Sequence, residues 1–363
     1  MARESASGAQ RVRTPPRPAD PNPQPDDEAG AREPNIRPQR LCEFVGQRGV
    51  VKNLEVYVAA ARARGEALDH ILLSGMPGLG KTTLAHLVAD EMGAGFRATS
   101  GPVLDKAKDL VGILTQLGDG DVLFIDEVHR LNHVVEEYLY SAMEDYSIDI
   151  VIDQGPNARS LKLHLKRFTL VAATTREGDL SAPFRARFGI QEKLEPYPVD
   201  EMVKILERSA RILNVPIDVA GARVLAERSR GTPRIANRYL RRLRDFAEVD
   251  GVQVIDCDLA ASALERLGVD RHGLDTLDRR ILSIIADGGG TPVGVKTIAV
   301  SVGEEERTIE DVYEPHLIRG GYLVKTPRGR LLGPFAGQAI DLARNARRRL
   351  DAGELNFGEE ERA

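Results

Sequence analysis

Gly75-Met76-Pro77-Gly78-Leu79-Gly80-Lys81-Thr82 decides how the rest of this sequence is read. Two glycines five positions apart, followed by Lys and Thr, form the pattern of a phosphate-binding P-loop. The glycines let backbone N–H groups curl around phosphate oxygens. The next helix then adds its free donors and the positive end of its dipole. Lys81 brings a point charge to the phosphates, and the Thr82 hydroxyl can ligate Mg²⁺. The flanks agree with this. His70-Ile71-Leu72-Leu73-Ser74 reads as a buried strand entering the loop, and Thr82 to Met92 reads as a helix leaving it.

Working outward, Asp121-Val122-Leu123-Phe124-Ile125 is a second apolar run, with Asp126 and Glu127 at its carboxyl end. Ligands of open α/β sheets bind at that end of the strands. Asp126 is therefore expected to hold Mg²⁺, and Glu127 to polarise an attacking water. Phe168-Thr169-Leu170-Val171-Ala172-Ala173 is a third such strand. Short apolar runs between helical stretches predict a parallel sheet covered on both faces. His129 follows the acidic pair, and a surface or packing role is expected for it. Residues 148–153 and 160–165 alternate apolar and polar around Gly155-Pro156-Asn157, which predicts a half-exposed hairpin.

The remainder divides by composition. Residues 1–34 are crowded with proline, contain no aromatic residue, and have Val12 as their only branched aliphatic. Such a tail cannot bury enough apolar surface to offset its ordering entropy. Residues 35–198 carry the strand–helix alternation. Residues 199–268 are wholly helical in pattern, with Thr232-Pro233 a helix start. Residues 269–346 read as three helices, the last from Thr308 to Ile318, followed by a hairpin whose tip is Pro327-Arg328-Gly329-Arg330. That order is the winged-helix arrangement. Residues 347–363 form a charged tail. The two cysteines, Cys42 and Cys257, make neither a disulfide framework nor a metal motif. They fit a reducing compartment, and no run is apolar enough to span a membrane, so a cytoplasmic protein is expected.

Specific strings then carry a resemblance. Thr99-Ser100-Gly101-Pro102-Val103-Leu104, Ala142-Met143-Glu144-Asp145-Tyr146, Arg185-Ala186-Arg187-Phe188-Gly189-Ile190, Gly231-Thr232-Pro233-Arg234-Ile235-Ala236-Asn237-Arg238 and Thr326-Pro327-Arg328-Gly329-Arg330 resemble the RuvB family of AAA+ branch-migration motors. The similarity runs from about Ile36 to Gly333. It implies an α/β AAA+ P-loop nucleotide domain, a helical lid and a C-terminal winged helix. It implies an ATP hydrolase, with ATP and Mg²⁺ as cofactors, that moves Holliday junctions in recombination and repair. It further implies a ring, a homohexamer, working with the junction-binding partner RuvA and indirectly with a RuvC-type resolvase. Residue by residue, Ile36, Arg37 and Tyr197 resemble the adenine-side contacts. Gly75, Gly78, Leu79, Gly80, Lys81, Thr82 and Thr83 resemble the phosphate loop, and Glu144, Asp145 and Tyr146 further nucleotide contacts. Thr175 resembles sensor 1, with Thr174 its competitor. Arg234 resembles sensor 2, and Arg187 the arginine finger aimed at a neighbouring subunit, with Arg185 as its decoy. The hairpin of residues 148–165 resembles the RuvA-docking surface. Departures from the family pattern are Met76, Lys166-Arg167, Lys325 and the displaced Arg307.

Charge supports a DNA role. From His316 to Arg349 the chain carries Arg319, Lys325, Arg328, Arg330, Arg344, Arg347, Arg348 and Arg349 against Asp341 alone, although its formal net charge is −5. A local basic excess in an acidic chain is a footprint for phosphate. Lys325, Arg328 and Arg330 on a glycine-containing tip suit backbone or minor-groove contact with duplex DNA, without base readout. Two rival readings stand beside this one: a clamp or origin loader that uses the same core as a switch and, from another class, a winged-helix regulator in which ATP only gates DNA binding.

Overall fold

The structure, a computed structural model, describes residues 35–151, 160–337 and 339. The proline-rich tail of residues 1–34, the hairpin turn Gly155-Pro156-Asn157 and the basic residues from Arg344 on lie outside the described residues. No helix among the described residues is long and apolar enough to cross a membrane.

The chain proceeds through α1 (Arg48–Arg64), β1 (Ile71–Ser74), α2 (Lys81–Met92), β2 (Phe96–Ser100), α3 (Ala107–Leu114), β3 (Val122–Asp126), α4 (His133–Asp145), β4 (Ser147–Val151), β5 (Ser160–His164), β6 (Thr169–Thr174), α5 (Ala182–Arg185) and β7 (Ile190–Lys193). Five of these strands form one parallel sheet in the order β2-β3-β6-β1-β7. The three apolar runs are its centre, and every described position of β1 and β6 is buried. The two edge strands were not legible in the sequence. Only Thr99 is buried in β2 and only Ile190 in β7, because an edge strand needs few apolar side chains. Strands β4 and β5 form the expected antiparallel hairpin, with Ile148 buried beneath it and Leu161 exposed above.

The sheet is covered on both faces. One core gathers α3, α4 and α5 around Leu123, Ile125, Leu170 and Ala172. The other gathers α1 and α2 around Ile71, Leu73, Phe124 and Val171. This second core continues without a break into α6 (Val199–Leu213), α7 (Val219–Arg228), α8 (Pro233–Val249) and α9 (Cys257–Arg266). The helical segment is therefore packed onto the sheet domain by shared apolar burial.

A third core belongs to the C-terminal unit: α10 (Thr276–Asp287), α11 (Val295–Val302), α12 (Glu306–Thr308), α13 (Glu314–Arg319) and the hairpin of β8 (Leu323–Thr326) and β9 (Gly329–Leu332). Val293 adds a short third strand through a bridge to Arg330. The expected helix from Thr308 to Ile318 needs correction. The segment begins at Glu306 and passes through a π-helical turn at Ile309–Tyr313 before α13. Pro315 has no N–H to offer the Asp311 carbonyl one turn back, so the backbone widens there instead of breaking.

One buried ion pair fastens this unit to the lid. Arg230 adopts a left-handed conformation with φ 60° and reaches both Asp275 and Asp278. Asp278 has no exposed surface, and burial pushes its carboxyl up to about 7 even though Arg230 pulls it down. Removing one partner of such a pair strands the other charge in the interior. Arg230→Ala is therefore expected to lower stability by about 3–5 kcal/mol. Urea denaturation checks this, and a loss near the level of a surface mutation would contradict the assigned role.

Candidate functional site

β1, β6 and β3 are neighbours in the sheet, so their carboxyl ends open at one edge. The loop after β1 bends through glycines in the left-handed region: Gly75 with φ 139°, Gly78 with φ 79° and Gly80 with φ 104°. Space forbids a side chain at each. A Cβ on Gly75 would lie 2.6 Å from the Leu194 carbonyl oxygen. One on Gly78 would lie 2.8 Å from Thr232 Cγ2 and 2.9 Å from Arg234 Cβ, and one on Gly80 3.0 Å from the Phe44 ring. The Arg234 N–H also points at the Gly78 carbonyl, 3.4 Å away. This is a cradle of bare backbone with Arg234 beside it. Lys81 opens α2, is 6% exposed, and donates to the Gly75 and Met76 carbonyls at 2.7 and 3.0 Å. Burial pushes its ammonium below its ordinary value, while the Asp126 and Glu127 carboxylates pull it back up.

Thr82 and Thr83 follow in the first turn of the same helix. The Leu79 carbonyl accepts from the buried Tyr197 hydroxyl at 3.1 Å. Ile36 packs against the same core, and Arg208 donates to its carbonyl at 2.6 Å. The Arg37 N–H donates to Asn35 Oδ1 at 2.9 Å. Of the adenine-side candidates, Tyr197 touches the loop, while the carbonyls of Ile36 and Arg37 are held by Arg208 of the lid helix α6.

At the end of β3, Asp126 Oδ1 accepts the Glu127 N–H at 2.9 Å, and Glu127 takes a left-handed backbone with φ 47°. The two threonines that close β6 differ in their partners. Thr175 donates to Glu127 Oε2 at 3.0 Å. Thr174 is fully buried, and its Oγ1 lies 3.0 Å from His129 Nδ1. That nitrogen is also 3.3 Å from Glu127 Oε2. His129 is thus largely buried, as a packing role expects, and it also faces the Glu127 carboxylate. Burial pushes the imidazole below its ordinary value against the pull of Glu127. The Thr174 contact comes from β6, which sequence position alone could not reveal.

Arg187 lies elsewhere. It donates to the Pro183 carbonyl at 2.7 Å, pairs with Glu144 at 3.1 Å, and stacks 4.2 Å from the centre of the Tyr140 ring. Arg187 and Glu144 therefore form one patch at the end of α4, with Asp145 next to it. Tyr146 takes a left-handed backbone with φ 47°, and its partly buried ring packs edge-on against Phe168, with the Arg167 guanidinium 5.7 Å from its centre.

The wing corrects a second expectation. Arg328 is exposed at the tip of the β8–β9 hairpin. Arg330 is 7% exposed, and its guanidinium donates to Glu314 at 2.6 Å and Glu310 at 2.8 Å. Lys325 sits opposite it in register and pairs with the same carboxylates at 3.1 and 3.2 Å. Alternation along β9 turns Arg330 inward, whereas the turn residue Arg328 escapes it.

Among the described residues no group of three or more His, Cys, Asp or Glu gathers into a metal cage. A Mg²⁺ ion bound with a nucleotide draws most of its ligands from water and phosphate. The hydroxyl of Thr82 and the carboxylate of Asp126, hard oxygens beside a bare-backbone cradle, fit that requirement.

The model of the Holliday junction DNA helicase RuvB P-loop domain matches residues 36–194, that of the RuvB AAA lid domain residues 197–270, and that of the RuvB C-terminal winged helix domain residues 271–340. The Holliday junction branch migration complex subunit RuvB of Myxococcus xanthus is 60% identical over 300 residues, covering 82% of this chain and 88% of its own length. That of Methanoregula boonei is 58% identical over 317 residues, covering 87% and 94%. The solved Holliday junction branch migration motor RuvB of Thermotoga maritima superposes with a TM-score of 0.77 at 48% identity, covering 84% of this chain and 98% of that one. P-loop cradle, lid and wing together match one family over most of the chain, and this protein belongs to the RuvB family.

Proposed function

We propose that this chain is an ATP-hydrolysing motor subunit that drives branch migration of Holliday junctions in recombination and repair. The observation that carries the reading is the convergence of Lys81, Glu127, Thr175 and Arg234 at one sheet edge of a chain that also bears a winged helix. Lys81 and the Gly75–Gly80 backbone hold the phosphates of ATP. Thr82 and Asp126 hold Mg²⁺, which supplies charge neutralisation at the transferred phosphate. Glu127 orients and polarises the attacking water, and the Thr175 hydroxyl fixes the carboxylate rotamer. Arg234, one residue into α8, brings a guanidinium from the lid to the γ-phosphate.

Arg187, Glu144 and Asp145 cluster on a surface outside the cradle of their own chain, which supports their acting on the nucleotide of a neighbour in a homohexameric ring. RuvA is assigned to the β4–β5 hairpin, where Leu161 is exposed, and a RuvC-type resolvase would join through that complex. Duplex DNA is assigned to the wing, with Arg328 as the leading contact. Lys325 is half-exposed, and Arg330 holds the hairpin in place.

Lys81→Ala is expected to abolish nucleotide binding, whereas Glu127→Gln should retain ATP without hydrolysing it. Equilibrium binding of a fluorescent ATP analogue separates them, and equal loss of binding in both would contradict the assigned roles. On DNA, Arg328→Ala should lower the salt slope of duplex binding by about one unit. Arg330→Ala should instead loosen the wing and lower the melting temperature. An unchanged salt slope in Arg328→Ala would remove the tip from the interface.

Arg187→Ala should bind ATP but hydrolyse it about 10³–10⁵ more slowly. Mixed with Lys81→Ala, which keeps an intact finger, it should recover part of the ATPase once co-purification of differently tagged chains shows mixed rings. Mixed rings without recovery would mean that Arg187 does not act across subunits.

A further inference from the structure

Arg176 follows Thr174 and Thr175 directly, and its N–H donates to Thr174 Oγ1 at 3.0 Å. Its side chain leaves the sheet domain and lands on the π-helical turn of the winged helix. The guanidinium pairs with Asp311 at 2.6 Å and lies 3.7 Å from Glu310. Asp179 of its own loop is also 3.7 Å away. Glu310 in turn holds Lys325 and Arg330 of the wing. A continuous series of contacts therefore runs from Glu127 through Thr175 and Arg176 to Glu310 and the hairpin assigned to DNA.

Two attachments of the winged helix differ in kind. The Arg230 side chain is 6% exposed and that of Asp278 not at all, and this pair fastens the unit to the lid. The side chains of Arg176, Asp311 and Glu310 are 26%, 30% and 30% exposed. A buried pair is costly to break, because each charge loses its partner in a medium that cannot solvate it. A partly exposed pair exchanges its partner for water at little cost. A lid that shifted against the sheet would therefore carry the winged helix with it and open the Arg176 contact first.

We propose that Arg176 is a coupling residue: its ion pair with Asp311 and Glu310 ties the winged helix to the Glu127–Thr175 end of the nucleotide site, so the wing's hold on duplex DNA depends on the nucleotide bound. This rests on the reading of Glu127 and Thr175 given above. Linkage makes the effect reciprocal, so DNA shifts nucleotide affinity by the same factor. The guanidinium position is a two-state element that both sites bias, through β6 on one side and through Glu310 on the other.

The test uses the full chain with Mg²⁺ and either ADP or a non-hydrolysable ATP analogue. Duplex DNA affinity is read by fluorescence anisotropy and nucleotide affinity by a fluorescent ADP. In the unsubstituted chain the two nucleotides should give DNA affinities differing by about fivefold or more. In Arg176→Ala and in Asp311→Ala the ratio should fall to about one with nucleotide affinity unchanged, and hydrolysis without DNA should continue. The reversed pair, Arg176→Asp with Asp311→Arg, should restore the ratio, because the ion pair itself carries the coupling; a merely structural role would leave the ratio unmoved in the single variants. Single variants that keep the ratio, or a reversed pair that fails to restore it, overturn the proposal while leaving the nucleotide site standing. An unsubstituted chain whose DNA affinity ignores the nucleotide overturns the coupling itself. An unsubstituted chain that binds no nucleotide overturns the underlying reading of the site.

Discussion

The close approach of three chain segments to the bare backbone of the P-loop constrains everything else in this molecule. Gly75 faces the Leu194 carbonyl, Gly78 faces Thr232 and Arg234, and Gly80 faces Phe44, each at a distance that a methyl group would violate. The loop is therefore where the last sheet strand, the lid and the N-terminal segment meet. Any ligand that spreads the loop must move the lid, because Arg234 and Thr232 rest on Gly78. The P-loop backbone and the contact with the lid thus share the same atoms.

Charge is distributed to the same end. Lys81, Arg230 and Arg330 are each less than a tenth exposed, and each has named oxygen partners. An interior cation that lacks partners costs several kcal/mol, so these pairings decide which helices can lie together. Arg230 joins lid to winged helix, and Arg330 joins wing to the π-helical turn. Arg319 extends the junction. It donates to the Arg230 carbonyl at 2.7 Å, and another guanidinium nitrogen lies 3.5 Å from the Met76 sulfur. Pro315 and Arg319 thus line one wall of a cavity of about 450 Å³ whose other walls include Gly75, Met76 and Thr175. The winged helix lies beside the nucleotide loop in the folded chain.

The π-helical turn at Ile309–Tyr313 explains how one short helix serves several partners. Glu310 and Glu314, four positions apart, share one face, and Asp311 lies about 100° round from Glu310. Glu310 and Glu314 face the hairpin while Asp311 faces Arg176. Turns of this kind recur at functional positions because they re-aim side chains without ending the helix.

Much of this was legible in the residues. The P-loop, the central strands with their carboxylates, the helical lid and the order of helices and hairpin in the last unit all depend on local pattern: apolar runs, glycines at fixed offsets, a Thr-Pro helix start. The edge strands β2 and β7 escaped because an edge position demands no apolar run. The π-helical turn escaped because a proline in a helix announces a disturbance but not its form. Arg330 was misread for a related reason. Its side chain has a role that depends on partners 16–20 positions away in sequence. Propensity and periodicity act over a few residues, so they reveal which chemical groups this protein owns and which central strand or helix carries most of them. Which of those groups meet is set by packing between elements. Whether a charge is presented to DNA or neutralised by a carboxylate depends on packing between elements that no local pattern encodes.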